Sequence, residues 1–175
     1  MAWTTERSAG GSVGVKHSIL FKVTGSNKWK ADTGVLTLFR DGTKILQSSV
    51  FSGGGPDEDN RFNVIPSATY RIRLDIRGVC AVFSEKAGDT ENAMHHWYGI
   101  EKIEPGSGWQ YEWGGHRAAL NETSKGLAQA YRGNFLHGKK REDDWTHGCI
   151  CERSEEILRH LWSLPAQKIN VVVQR

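Results

Sequence analysis

Cysteine is scarce in this chain of 175 residues: there are three, Cys80, Cys149 and Cys151. An odd, low count excludes a disulfide framework as the source of its stability. Proline is also scarce, with 4 residues, whereas 20 glycines suit a chain of many turns. No run is long and apolar enough to span a bilayer. Neither sign of charge dominates, with 23 Lys and Arg against 20 Asp and Glu. The basic residues form no long stripe, which speaks against nucleic-acid binding. The start, Met1-Ala2-Trp3-Thr4-Thr5-Glu6-Arg7, lacks the charged head and apolar run of a secretory signal. The expectation is a chain made in the cytoplasm with no membrane span. Work outside the cytoplasm would then need non-classical export.

What is present is globular. Hydrophobic residues make up 38% and charged residues 25%, a balance that excludes disorder, and the length suits one domain, residues 1–175, with a sizeable core. Seven tryptophans are many for this length; they suit either a core or a site for sugars and flat polar groups.

Strand patterns are frequent. Ser18 to Thr24 reads as a strand. Gly34 to Arg40 alternates, Val35, Thr37 and Phe39 on one side and Leu36 and Leu38 on the other. Asp41-Gly42 follows, then a second strand-like run from Thr43 to Phe51, which together predict a hairpin. Thr69 to Ile76 alternates strictly, and Val79 to Ser84 is expected to pair with it across Arg77-Gly78. From Glu85 to Ala130 the composition shifts to Trp, His and Gly, which reads as a long insertion with short strands and loops, ending in a short helix near Glu122 to Tyr131. The clearest helix is Ser154 to Leu164. Ser154 is its expected cap, Ile157, Leu158, Leu161 and Leu164 its apolar face, and Pro165 its end. Lys168 to Gln174 reads as a closing strand.

The chemistry is concentrated between Asn134 and Ser154, where His137-Gly138 precedes Thr146-His147-Gly148-Cys149-Ile150. A thiol attacks only as thiolate, so a catalytic cysteine needs a nearby base or cation. His137 and His147 are both candidates. Gly148 lets the backbone approach a bound carbonyl closely, and amides around Cys149 suit an oxyanion. A helix starting just after the cysteine would favour thiolate. Cys149 equally fits a buried structural cysteine, and Cys149, Cys151, His137 and His147 together have ligand types suited to zinc. Period-2 placement puts Cys151 on the face of Cys149. Lys139-Lys140-Arg141 and Glu142-Asp143-Asp144 read as a solvated loop.

Thr146-His147-Gly148-Cys149-Ile150 resembles the Ser/Thr-His-Gly-Cys-Ile motif of the L,D-transpeptidase catalytic domain of the YkuD type. Phe135-Leu136-His137-Gly138 is similar to the upstream strand of that family, and Ile65-Pro66-Ser67-Ala68-Thr69-Tyr70 to its segment before a strand. The resemblance covers residues 34–84 and 132–174. The chain departs from the family at Cys151, where Arg or Asn is usual, and in the short gap between the two motifs. These departures resemble compact members used as antibacterial toxins, including type VI secretion effectors.

The resemblance implies a mainly β fold, an L,D-transpeptidase-like β-sandwich with one helix after the cysteine and the Trp- and Gly-rich insertion at 85–130. It implies an enzyme acting on peptidoglycan stem peptides in the bacterial periplasm, with an immunity protein or secretion machinery as further partners and no cofactor or metal. Cys149 would be the nucleophile and His137 its base, with His147 and Gly148 beside them. Thr146, Gly138, Trp109, Trp113, Arg117, Arg132 and Arg153 are the candidates to bind substrate. A noncatalytic wall-binding module of the same fold and a zinc-binding Cys/His protein are the alternatives. A papain-like hydrolase is opposed by chain order, since His137 precedes Cys149.

Overall fold

The computed structural model describes residues 14–80, 99–106, 110–123 and 134–175. These are mainly β, with one large sheet and two short helices. In chain order the elements are β1 (His17–Ser26), β2 (Asp32–Arg40), β3 (Thr43–Ser52), β4 (Thr69–Arg73), β5 (Arg77–Cys80), β6 (Ile100–Ile103), α1 (Gln110–Trp113), β7 (His116–Glu122), β8 (Asn134–His137), β9 (Ile150–Cys151), α2 (Glu156–Ser163) and β10 (Lys168–Gln174). None of the described helices is long and apolar enough to cross a membrane.

The hairpin of β2 and β3 forms where Asp41-Gly42 places it. Both residues take positive φ, 49° and 79°, which a tight two-residue turn between twisted strands requires. β10 alternates as its sequence does, Ile169, Val171 and Val173 buried, Lys168, Asn170 and Val172 exposed. It lies between β1, to which it is parallel, and β4, to which it is antiparallel. Hydrogen-bonded neighbours lead from β4 through β10, β1, β2, β3, β9 and β8 to β7. β7 then pairs back to β4, Tyr70 with Glu122 and Arg71 with Asn121, so the sheet closes on itself. β6 and β5 continue outward from β7.

One face of these strands buries Phe21, Leu36, Leu38, Ile72, Leu120, Leu136, Ile150 and Val171 in a single core. Helix α2 adds Ile157, Leu158 and Leu161, the apolar face expected of it, with Leu164 partly buried beside them.

Two expectations are corrected. β5 does not fold back on β4; it pairs parallel with β6. Both edges of β4 are already taken, by β10 and β7, and Arg77 is drawn to the end of α2, donating to Trp162 O (2.7 Å) and Leu164 O. The remainder of that expected strand, Ala81 to Ser84, lies outside the described residues. Ser154 does not cap the helix. The buried carboxylate of Glu152 does, accepting the amides of Ile157 (2.8 Å) and Leu158 (3.0 Å) and the hydroxyl of Ser48 (2.6 Å). Glu155 is the residue before the first turn, in a left-handed conformation with φ 52°. The short strands expected within 85–130 are β6 and β7, which pair into the sheet, and Ile100, Ala118 and Leu120 belong to the main core. The expected helix near 122–131 falls on residues 124–131, outside the described residues, while Glu122 ends β7.

Candidate active site

β8 and β9 lie side by side and parallel, with Leu136 paired to Ile150 and His137 to Cys151. Alternation sorts the side chains into two sets. Leu136 and Ile150 enter the main core. Phe135, His137, Cys149 and Cys151 take the opposite face, where Phe135 and Cys149 cluster with Ala119 and Trp113 packs on them. Cys151 joins Ala31 and Phe51 in a small cluster of its own. The expectation that the two thiols share a face is met.

A cavity of about 280 Å³ opens on this face, lined by Glu112, Trp113, His137, Lys139, Trp145, Thr146, His147 and Cys149. It brings both motifs of the sequence together. Trp113 stands edge-on to His137, with ring centres 4.9 Å apart, and to Phe135, at 5.3 Å. The opposite wall is Trp145, which stacks on Phe62 at 5.7 Å, while exposed His147 rests on Phe62 at 4.0 Å.

The turn that presents the thiol is organised by Thr146. Its hydroxyl donates to Cys149 O (2.7 Å) and accepts the amides of Gly148 (3.2 Å) and Gly53 (3.0 Å). Gly148 takes φ 105°, and a Cβ there would lie 3.2 Å from both Asn134 Oδ1 and Asn63 O. The conformation favours glycine, and a Cβ would also crowd these two oxygens. At Gly138 a Cβ would meet the Glu155 carboxyl carbon at 2.4 Å, so the Glu155 side chain would have to move.

His137 is held in one tautomer. Its Nδ1–H donates to the carbonyl of Gly138, which leaves Nε2 as the acceptor. Its carbonyl accepts the amide of Glu152 (2.8 Å), so the residue that caps α2 is also fastened to the site. Burial pulls the His137 pKa down to about 4, outweighing the carbonyl bond of Gly138 that favours the cation. Burial pushes the Cys149 thiol up to about 11, opposed by the Phe135 amide, which donates to Sγ at 3.4 Å, and by the charge of Arg117. The resting pair is thus neutral imidazole and neutral thiol. At the start of α2, the Glu152 carboxylate occupies the amides of Ile157 and Leu158.

The other candidates are spread out. Arg153 is engaged by Asp144 Oδ1 (2.9 and 2.7 Å) and by the carbonyls of Arg141 and Asp143, and it does not line the cavity. Trp109 and Arg132 lie outside the described residues. Among the described residues no group of three or more His, Cys, Asp or Glu is gathered to hold a metal. The cavity also contains residues that sequence reasoning passed over. Lys139, read as part of a solvated loop, is buried, pairs with Asp143 (2.7 Å) and donates to Trp145 O (2.6 Å). Glu112 reaches the rim and pairs with Arg141 (2.9 Å). The only signal for Lys139 and Trp145 was adjacency to the two motifs.

No protein-family model and no curated protein matches this chain.

Proposed function

We propose that this protein is a cysteine acyl-transfer enzyme acting on peptidoglycan stem peptides, as an L,D-transpeptidase or L,D-carboxypeptidase. The observation that carries the reading is the shared cavity of His137 and Cys149, on one face of neighbouring strands, with Nε2 of His137 left as a proton acceptor. The matching fold reading is an L,D-transpeptidase-like β-sandwich. Cys149 Sγ attacks the carbonyl carbon of an L,D peptide bond as its proton passes to His137 Nε2. The oxyanion is taken up at the Gly148–Cys149 turn. The tetrahedral intermediate expels the amine of the leaving residue, which receives the proton from His137. Water, a free D-amino acid or another stem peptide then accepts the acyl group. Action in the bacterial periplasm after non-classical export, with an immunity protein in the producing cell, completes this reading.

The test is mass spectrometry of muropeptides incubated with the protein and with Cys149→Ala. Loss of a terminal residue, or new cross-links, only with the unsubstituted protein supports the proposal; identical profiles overturn it. The buried neutral thiol favours a second reading, a wall-binding module that keeps the fold without turnover. A thiol-reactive carbapenem-like probe separates the two, since only an enzyme should be acylated at Cys149.

A further inference from the structure

Arg117 on β7 faces Glu101 on β6 and His137 on β8 in register. Its Nε–H donates to Glu101 Oε2, and the two side chains are 4% and 1% exposed. The guanidinium lies 4.9 Å over the Trp113 ring and 5.4 Å over the Phe135 ring. Those residues are the ones that flank the reacting pair. The Phe135 amide donates to Cys149 Sγ, and Trp113 stands against His137. A buried cation and its counter-ion therefore pack on the same two aromatic residues that touch the thiol and the imidazole.

Stability gives little reason for such a pair. Two charges taken out of water lose about as much hydration as their attraction returns, and apolar replacements are often tolerated. Glu101 Oε1 moreover has no hydrogen-bond partner among the described residues, so the carboxylate is incompletely satisfied. Of the other titratable groups near the pair, His147 is exposed on the cavity lining and Glu155 accepts the Gly115 amide and contacts His116. Lys139 is held by Asp143, Glu112 by Arg141, and Glu152 by the amides of α2, while His137 is neutral and Cys151 turns toward Phe51.

We propose that Arg117 and Glu101 are positioning residues whose buried charges set how readily Cys149 ionises, an inference that rests on reading the cleft as an acyl-transfer site. Arg117 favours the thiolate, and Glu101 offsets that field so that the proton can still move to His137. The charge of Arg117 acts in this direction on both groups, lowering the pKa of Cys149 and that of His137.

The test is the pH dependence of iodoacetamide alkylation at Cys149, followed by peptide mass spectrometry. In Glu101→Gln the charge that offsets Arg117 across β6 and β7 is removed, and the alkylation midpoint should fall by about one pH unit. In the double variant Arg117→Met, Glu101→Gln neither charge remains, and the midpoint should rise by about the same amount. Arg117→Lys keeps the charge and should stay near the unsubstituted protein. Shifts of the same sign in the first two variants overturn the proposal. Circular dichroism checks that the double variant, which removes both members of the pair together, still folds; a midpoint unchanged in it is sufficient alone to overturn the proposal. Alkylation needs no substrate. A protein inactive on muropeptides that still shows the opposed shifts would therefore count against the acyl-transfer reading only.

Discussion

His137 and Cys151 are partners across the parallel pairing of β8 with β9, and Cys149 lies one side-chain step earlier on the same face. Only Cys149 shares the cavity with His137; Cys151 is fully buried against Ala31 and Phe51.

This asymmetry predicts different outcomes for the two cysteines. Cys149→Ala should abolish muropeptide turnover, since a covalent step has no substitute, and should leave the melting temperature nearly unchanged. Cys151→Ser should instead cost about 1–3 kcal/mol of stability, from burying an unpaired hydroxyl, and should keep measurable turnover. Denaturant titration and turnover assays on the same preparations check both.

Gly148→Ala should impair activity more than its size suggests. The new methyl meets Asn134 Oδ1 and Asn63 O at a backbone angle that L-residues avoid. The strain is about 1–3 kcal/mol, relieved by shifting the Cys149 turn. Turnover should fall by tenfold or more, about 1.4 kcal/mol at the transition state, while the fold persists by circular dichroism.

The pH response follows from the two buried groups. The folded pKa of His137, about 4, lies below its ordinary 6.5, so the unfolded chain binds the extra proton between these values. Stability is complete above 6.5 and falls as pH drops toward 4, by about 3 kcal/mol in all. The Cys149 thiol is shifted upward from 9 to about 11, so its contribution is present below pH 9 and lost as pH rises toward 11. His137→Gln should remove much of the acid-side slope in urea titrations between pH 4 and 7. An unchanged slope would place its origin elsewhere.

Glu152→Ala should be among the most damaging single changes away from the cavity. It frees the amides of Ile157 and Leu158 and the hydroxyl of Ser48 in a buried setting. The expected loss is about 2–4 kcal/mol from a lost cap and unpaired donors. Calorimetry gives the number, and a loss below about 0.5 kcal/mol would contradict the capping role.

Much of this was legible in the chain because local patterns were strong. Asp41-Gly42 placed a turn, the alternation of residues 168–174 placed β10, and the spacing of Ile157, Leu158 and Leu161 placed α2. The shared face of Cys149 and Cys151 followed from strand alternation alone. What escaped was set by partners distant in sequence. β5 looks like half of a hairpin until the edges of β4 are seen to be taken. Glu152 reads as an ordinary acid unless Ser48 and the start of α2 are placed around it. Lys139 looks solvated within a charged run, and only Asp143 and the Trp145 carbonyl reveal why it is buried. Arg117 reads as a cation for substrate carboxylates, and only the register of β6 with β7 reveals that it is buried against Glu101.

The circuit of strands bears on how the chain is assembled in time. β10 joins β1 to β4, yet residues 168–174 leave the ribosome after every other strand described. Until they emerge, β1 and β4 each present an unpaired edge, and the pairing of β4 with β7 has no continuous sheet behind it. Early strands must therefore wait for a late one, an arrangement of distant contacts that folds slowly. A nascent chain stalled before residue 168 should be readily digested by protease, with its Cys149 alkylated faster than in the finished protein.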